Sequence, residues 1–263
     1  MKERALFDLN GETALVTGAG SGMGRAICEG LAEYGANVVC SDINLEATQE
    51  TAKLAGRYGT KVLALKSDAF EESEINSMIS QTLKEFKTID IVFAHAGIVD
   101  TTPAKIHQTK TADWDRIASA YVRGIFLLMK AVFPVMMKQK GGSFITTSAG
   151  TALWPLPQTG ELHLATPYIT GKTAVIMLTK IAARQYGEYG IRTNVICPGY
   201  HRSLHHTVDE KGMENMESTV LASTPLKRVG LPEDIKGLAV YLASNASSFI
   251  TGQVFVEDGG FTA

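Results

Sequence analysis

Residues 17–24 read Thr17-Gly18-Ala19-Gly20-Ser21-Gly22-Met23-Gly24, and no other stretch constrains the fold as much. The apolar run Ala14-Leu15-Val16 precedes them, and a helix-like run through Tyr34 follows. A strand that turns through glycines into a helix start makes a phosphate cradle. Glycines allow the tight turn and the close approach of backbone to a pyrophosphate, and the helix N-terminus offers free N–H groups and a positive dipole end. Glycines also make ordinary turns, so the residues downstream decide.

Downstream, short apolar runs alternate with longer periodic ones. Residues 13–17, 37–41, 62–65, 89–94, 142–147, 191–196 and 253–256 read as buried strands. Helical patterns fall near 23–34, 45–58, 72–86, 112–138, 167–187 and 232–243. Strand runs without polar alternation suit a parallel sheet covered on both faces. The pattern predicts an α/β fold, a single-domain Rossmann-type doubly wound parallel sheet of about seven strands with helices on both faces. A single domain over 1–263 is a reasonable size for one core. Two polar, turn-rich segments, 149–167 and 199–230, directly follow strands, where open α/β sheets bind ligands.

Composition narrows the partners. A net charge of -2 gives no electrostatic reason to expect nucleic acid or an anionic membrane. No apolar run reaches the ~18 residues of a membrane span, and Met1-Lys2-Glu3-Arg4 lacks the apolar core of a signal peptide. Cys28, Cys40 and Cys197 fall in core-like segments and read as buried thiols, so a reducing, cytoplasmic setting is expected.

Asp42 ends the second strand, 18 residues after Gly24. A carboxylate there accepts both ribose hydroxyls of an adenosine and repels a 2′-phosphate, which favours NAD over NADP. An acidic helix cap is the plainer reading. Arg25 argues the other way, since a guanidinium near the loop suits a phosphate. Asp68, after the third strand, is either an adenine contact or a turn aspartate. Tyr168 and Lys172 are four apart at a helix start and share one face. An ammonium beside a phenol stabilises the phenolate, so the pair can exchange a proton with a hydroxyl or carbonyl.

With these motifs in order, the chain resembles the short-chain dehydrogenase/reductase family over essentially its whole length. The matching pieces are Thr17–Gly24 for the TGxxxGxG loop, Asp68, Ala96-Gly97 from NNAG, Tyr168-x-x-x-Lys172 and Arg192-x-Asn194-x-x-x-Pro198-Gly199. The stretch from Pro225-Leu226-x-Arg228 to Asp258-Gly259-Gly260 completes the series. The resemblance implies hydride transfer between nicotinamide and a secondary alcohol or carbonyl, with Tyr168 as general acid/base. It implies that Lys172 holds the nicotinamide ribose and lowers the tyrosine pKa. Cofactor contacts would come from Gly18, Ser21, Gly22, Met23, Gly24, Asp42, Asp68, Ala69, Ala94, Ala96, Gly97, Tyr168, Lys172, Pro198 and Gly199. The 199–230 segment would close over a small-molecule substrate, and a homotetramer is the usual assembly.

Three positions depart from the family pattern. NNAG reads Ala94-His95-Ala96-Gly97, where a structural role for His95 is expected. Tyr121 stands where the family often has an asparagine that opens a helix bulge and holds a proton-relaying water. It also falls on the stripe Ile117, Tyr121, Ile125, Leu128, Val132, the spacing of a buried helix face. The catalytic-serine column holds Ala149, with Ser148 beside it. Ser148 is the favoured hydroxyl, Thr147 or Thr151 the substitutes, and 149–167 reads as an inserted active-site loop.

Substrate clues are Glu161 and His163 in that loop and Tyr200, His201, Arg202, His205 and His206 after it. His201 and His205 have helical i, i+4 spacing, but no third ligand joins them, so no metal is expected. His163, Tyr200 and Arg202 facing the pocket would favour a polar or anionic substrate: a sugar, polyol or hydroxy acid. Two alternatives stay open: a nucleotide-binding relative without redox turnover, acting as regulator or scaffold, and an NAD-retaining lyase or epimerase.

Overall fold

A computed structural model describes residues 5–98, 105–153, 166–202 and 210–263. Seven parallel strands form one sheet in the order β3-β2-β1-β4-β5-β6-β7. They are β1 (Thr13–Thr17), β2 (Asn37–Asp42), β3 (Val62–Lys66), β4 (Ile91–Ala94), β5 (Gly142–Thr147), β6 (Ile191–Pro198) and β7 (Val254–Glu257). Between them run α1 (Gly22–Glu33), α2 (Leu45–Ala55), α3 (Glu72–Phe86), α4 (Thr111–Ala118), α5 (Gly124–Gln139), α6 (Thr166–Tyr186), α7 (Glu210–Ser223) and α8 (Ile235–Ala243).

Side-chain alternation sorts each strand between two cores. Ala14 and Val16 of β1, with Ile91 and Phe93 of β4, pack under α1 and α8 against Ile27, Leu31, Ile235 and Leu242. Leu15, Val92 and Ala94 face the other way and pack with Ile75, Met78, Leu128, Val132 and Val175 of α3, α5 and α6. Both faces of the sheet are thereby covered, as the apolar runs require.

Three elements differ from expectation. β4 begins at Ile91, two residues after the expected start. The Gln139 side chain receives the Ile89 N–H and donates to the Ile89 carbonyl, 3.0 Å each, which takes the strand's usual backbone partners. The helix expected over 112–138 is broken by a π-turn at Ser119–Arg123. Part of the turn-rich 199–230 segment is helical, as α7.

By length and mean composition alone, Thr111–Gln139 passes for a helix able to cross a membrane, its apolar residues interrupted by Arg123 and Lys130. However, 56% of its most apolar window is buried inside the protein. That is the burial of a core helix.

The strand order reverses between β1 and β4, so the loops after these strands diverge and leave a crevice at their C-terminal ends. The glycine loop, Asp42, His95 and Ser148 all lie at or just past C-terminal strand ends and collect along that edge.

Candidate active site

The glycine loop is shaped by contacts that only glycine tolerates. Gly18 has φ +71, and a Cβ there would lie 2.8 Å from the Ala96 Cα. A Cβ on Gly24 would lie 2.0 Å from the Gly18 carbonyl oxygen. The start of α1 therefore presses directly on the loop. Ser21 precedes the helix with extended backbone and makes no side-chain cap, and no acidic residue occupies the first turn. The first-turn N–H groups, including those of Gly22, Met23 and Gly24, have no intrahelical acceptor. This uncapped cradle fits the diphosphate of a dinucleotide.

Thr17 ties the cradle to the strand beside it. Its hydroxyl accepts the N–H groups of His95 and Ala96, 3.2 Å each, and fixes the backbone of 94–97 against the glycine loop. Sequence reasoning had given Thr17 no side-chain role, although it opens the motif. Ala94 is buried at the end of β4, and Gly97 packs against the Tyr121 ring.

Asp42 lies at the cradle rim. Its Oδ2 accepts the Gly20 N–H at 3.1 Å and its Oδ1 accepts the Asn44 N–H at 3.0 Å. The carboxylate thus spans from β2 to the loop, and its cap-like bond to Asn44 coexists with a place at the crevice. Arg25 is held by neighbouring groups. Its guanidinium donates to the Gly20 carbonyl and to Glu50, 2.8 Å each, and to the Thr51 hydroxyl at 3.1 Å. Asp68 accepts the Phe70 N–H at 2.9 Å, an Asx-type turn, and Ala69 follows it.

Tyr168 and Lys172 share one face of α6, as their spacing requires. Lys172 is 5% exposed, and its Nζ donates to the Thr147 carbonyl at 2.8 Å. The ammonium lies 4.4 Å above the Tyr121 ring centroid and 6.0 Å from that of Tyr168. Burial brings the Lys172 pKa down to about 7. Burial likewise pushes the Tyr168 hydroxyl up to about 12, with the nearby Cys197 adding to it. Burial is thus the main influence on the tyrosine, and it acts upward.

Ser148 follows β5 and is buried. Its hydroxyl donates to the Lys172 backbone carbonyl at 2.7 Å. It also hydrogen-bonds the Cys197 thiol, which burial raises to about 11. Ser148 so braces the turn of α6 that carries the lysine, where a hydroxyl aimed at a substrate oxygen had been expected. Ala149, in the family's serine column, is buried as well. Thr147 pairs its hydroxyl with His95 Nδ1 at 3.1 Å. Burial takes the His95 pKa down to about 4, so the imidazole is neutral at physiological pH and serves as a structural partner. The Thr151 hydroxyl is buried without a partner among the described residues.

Tyr121 is a core aromatic, as its place on the apolar stripe predicts. It is 2% exposed and part of the core, and it sits in the π-turn Ser119–Arg123. Its hydroxyl donates to the Ile98 carbonyl, and its ring meets Tyr168 edge-on at 5.5 Å.

Pro198 ends β6, Gly199 follows it, and the segment beyond them is pinned at its base. Gly230 donates to the Tyr200 carbonyl at 3.0 Å and accepts the Arg202 N–H at 2.8 Å. His201 is buried, with Nδ1 3.1 Å from the Gly199 carbonyl and Nε2 3.0 Å from Glu257. Arg202 forms an ion pair with Glu217, its Nε 2.8 Å from the carboxylate. Glu257 and Glu217 were not foreseen, because each partner is remote in sequence. A cavity of about 240 Å³ lies here, lined by Tyr200, His201, Arg228, Asp234 and Glu257 among others. His163 and His205 lie outside the described residues.

Residues 18–262 match the family model described as Enoyl-(Acyl carrier protein) reductase. The chain is 32% identical to the 3-oxoacyl-(acyl-carrier-protein) reductase of Thermotoga maritima, covering 96% of this chain and 98% of the relative. It is 33% identical to the sorbose reductase of Candida albicans, covering 98% and 89%. The crystal structure of a short-chain type dehydrogenase/reductase from Mycobacterium marinum superposes with a TM-score of 0.90 at 33% identity, covering 98% of each chain. With the parallel sheet, the glycine cradle and the Tyr168–Lys172 pair, these likenesses agree on one conclusion: the chain belongs to the short-chain dehydrogenase/reductase family.

Proposed function

We propose that the protein is an NAD-dependent dehydrogenase/reductase acting on a secondary alcohol or carbonyl of a small polar substrate. The observation that carries this reading is the placement of Tyr168 and Lys172 on one face of α6, along the sheet edge that also holds the uncapped glycine cradle. The nicotinamide, when bound, supplies the hydride chemistry. Tyr168 holds or releases a proton at its hydroxyl, as acid in reduction and base in oxidation. Lys172 supplies positive charge beside it, and Ser148 holds the Lys172 turn. The buried surroundings keep water from competing for the proton.

Two details refine the specificity. Asp42 presents a carboxylate at the cradle rim while Arg25 is spent on Glu50, Thr51 and Gly20, which supports NAD over NADP. Arg202 is neutralised by Glu217, so a neutral sugar or polyol is favoured over a hydroxy acid. The resemblance to a sorbose reductase points the same way.

The test is turnover of the purified protein with NAD or NADP and a panel of sugars, polyols, hydroxy acids and cyclic alcohols, followed by absorbance of the reduced nicotinamide. NAD-linked oxidation of a neutral polyol is expected, and faster turnover with NADP would overturn the cofactor assignment. A second reading, a nucleotide binder without redox turnover, is favoured by the commitment of the Ser148 hydroxyl to α6. Tight NAD binding with no turnover on any substrate would establish it instead.

A further inference from the structure

We propose that Tyr121 is a positioning residue for the Tyr168–Lys172 pair: its ring face holds the Lys172 ammonium in the charged form, and its edge contact fixes the Tyr168 ring. The inference rests on the acid/base reading of that pair.

The geometry is specific. Four tethers fix the Tyr121 ring. The π-turn re-aims the residue, and the hydroxyl is bonded to the Ile98 carbonyl. A Cβ added to Gly97 or Gly171 would lie 3.0 or 3.3 Å from Tyr121, so the ring is clasped between two chain segments of minimal bulk. On this fixed surface the Lys172 Nζ sits 4.4 Å from the centroid, and the Tyr168 ring stands at 86° to it.

Charge gives the contact its purpose. The titratable groups around Lys172 are Tyr121 from the π-turn, Tyr168 from α6, Cys197 from β6 and His95 after β4. None is a carboxylate, and no ion pair to Lys172 exists among the described residues. The ammonium has one carbonyl, that of Thr147, and one aromatic face. Burial drives the lysine toward neutrality, and the π face opposes that drive most strongly where water is excluded. Packing alone does not account for an aromatic here. The neighbouring stripe positions Ile117, Ile125, Leu128 and Val132 fill the same core with aliphatic side chains.

The test titrates Lys172 directly. The protein without cofactor is labelled with 13C at the lysine ε carbons, and the Lys172 signal is assigned by its loss in Lys172→Met. Wild type is compared with Tyr121→Phe, Tyr121→Leu and a protein carrying pentafluorophenylalanine at position 121. The last keeps the ring's shape and reverses the sign of its face, so it answers the question even where Tyr121→Leu unfolds. Tyr121→Phe should titrate close to wild type. The leucine and pentafluorophenyl proteins should titrate about one pH unit lower. A Lys172 titration unmoved in the pentafluorophenyl protein would overturn the proposal and leave Tyr121 a packing residue. Because the titration needs no turnover, failure of the redox reading would show in the substrate panel and not here.

Discussion

Lys172 sets burial against charge, and the conflict has a measurable consequence for stability. Its pKa in the folded protein, about 7, lies below the ordinary lysine value of 10.5. Between these values the unfolded chain binds more protons than the folded one, so stability rises with pH across that window. At and below neutrality the full cost of a buried ammonium is present. Lys172→Met removes the titration. Urea unfolding should find it more stable than wild type near pH 6, with the difference shrinking by a few kcal/mol toward pH 10. A gap that stays constant with pH would contradict the burial argument. Asp42 makes the second prediction at this scale. Asp42→Ala removes a charged acceptor from the Gly20 N–H and the crevice rim, and should shift the NAD/NADP ratio of kcat/KM toward NADP by about tenfold or more. An unchanged ratio would reduce Asp42 to a helix cap. The sequence made the place of Asp42 at the end of β2, and of Tyr168 and Lys172 on one helix face, legible, because strand ends and helical spacing are local properties. It could not show that Arg25 is held by Glu50 or Arg202 by Glu217, since those pairings depend on the fold.

At the scale of elements, local pattern located most strands and helices to within a residue or two, because each buries a periodic apolar face. The π-turn stayed hidden: an inserted residue leaves the stripe through Ile117, Tyr121 and Ile125 looking continuous. α7 was hidden for the opposite reason, since Glu210–Ser223 carries little apolar periodicity among its polar residues. The base of the segment after β6 illustrates a further limit. His201 and Glu257 are 56 apart, and only the sheet brings them together to tie this segment to β7. Burial works against a charged His201, but the Glu257 hydrogen bond and charge outweigh it, with smaller help from the Gly199 carbonyl and Asp234, and the net shift is upward. A raised folded pKa contributes stability that is fully present below the unfolded value of about 6.5 and is lost as pH rises through the folded value. Glu257→Gln should therefore destabilise the protein most below pH 6, by about 1–3 kcal/mol, with a smaller penalty in mildly alkaline buffer. Denaturation midpoints of both proteins across that range check this, and a penalty that grows with pH would refute the pairing.

The doubly wound sheet determines where the molecule can act and where it can assemble. Its strand-order reversal gathers the cradle and the Tyr168–Lys172 pair at one edge, while α5 and α6 cover a face away from α1 and α8. Those two helices are not polar on their outer sides. Phe126 of α5 is 50% exposed, and Met177 and Ile181 of α6 are 58% and 44% exposed. Met177 and Ile181 are one turn apart and so lie on the same outward stripe. Apolar surface repeated along packed helices marks an interface with another protein surface, and closed symmetry makes a second copy of the same chain the economical partner. The family resemblance implies a homotetramer, and we expect α5 and α6 to face their counterparts in it. Because α6 also carries Tyr168 and Lys172, association would stiffen the helix that holds the proton-transfer pair. Sedimentation of the wild type should give the mass of a tetramer. Phe126→Glu combined with Met177→Glu places carboxylates where apolar side chains would be buried, and should yield a smaller species with unchanged far-ultraviolet circular dichroism. A wild type that sediments as a monomer would sink the assembly, and a double variant that remains tetrameric would move the interface off α5 and α6.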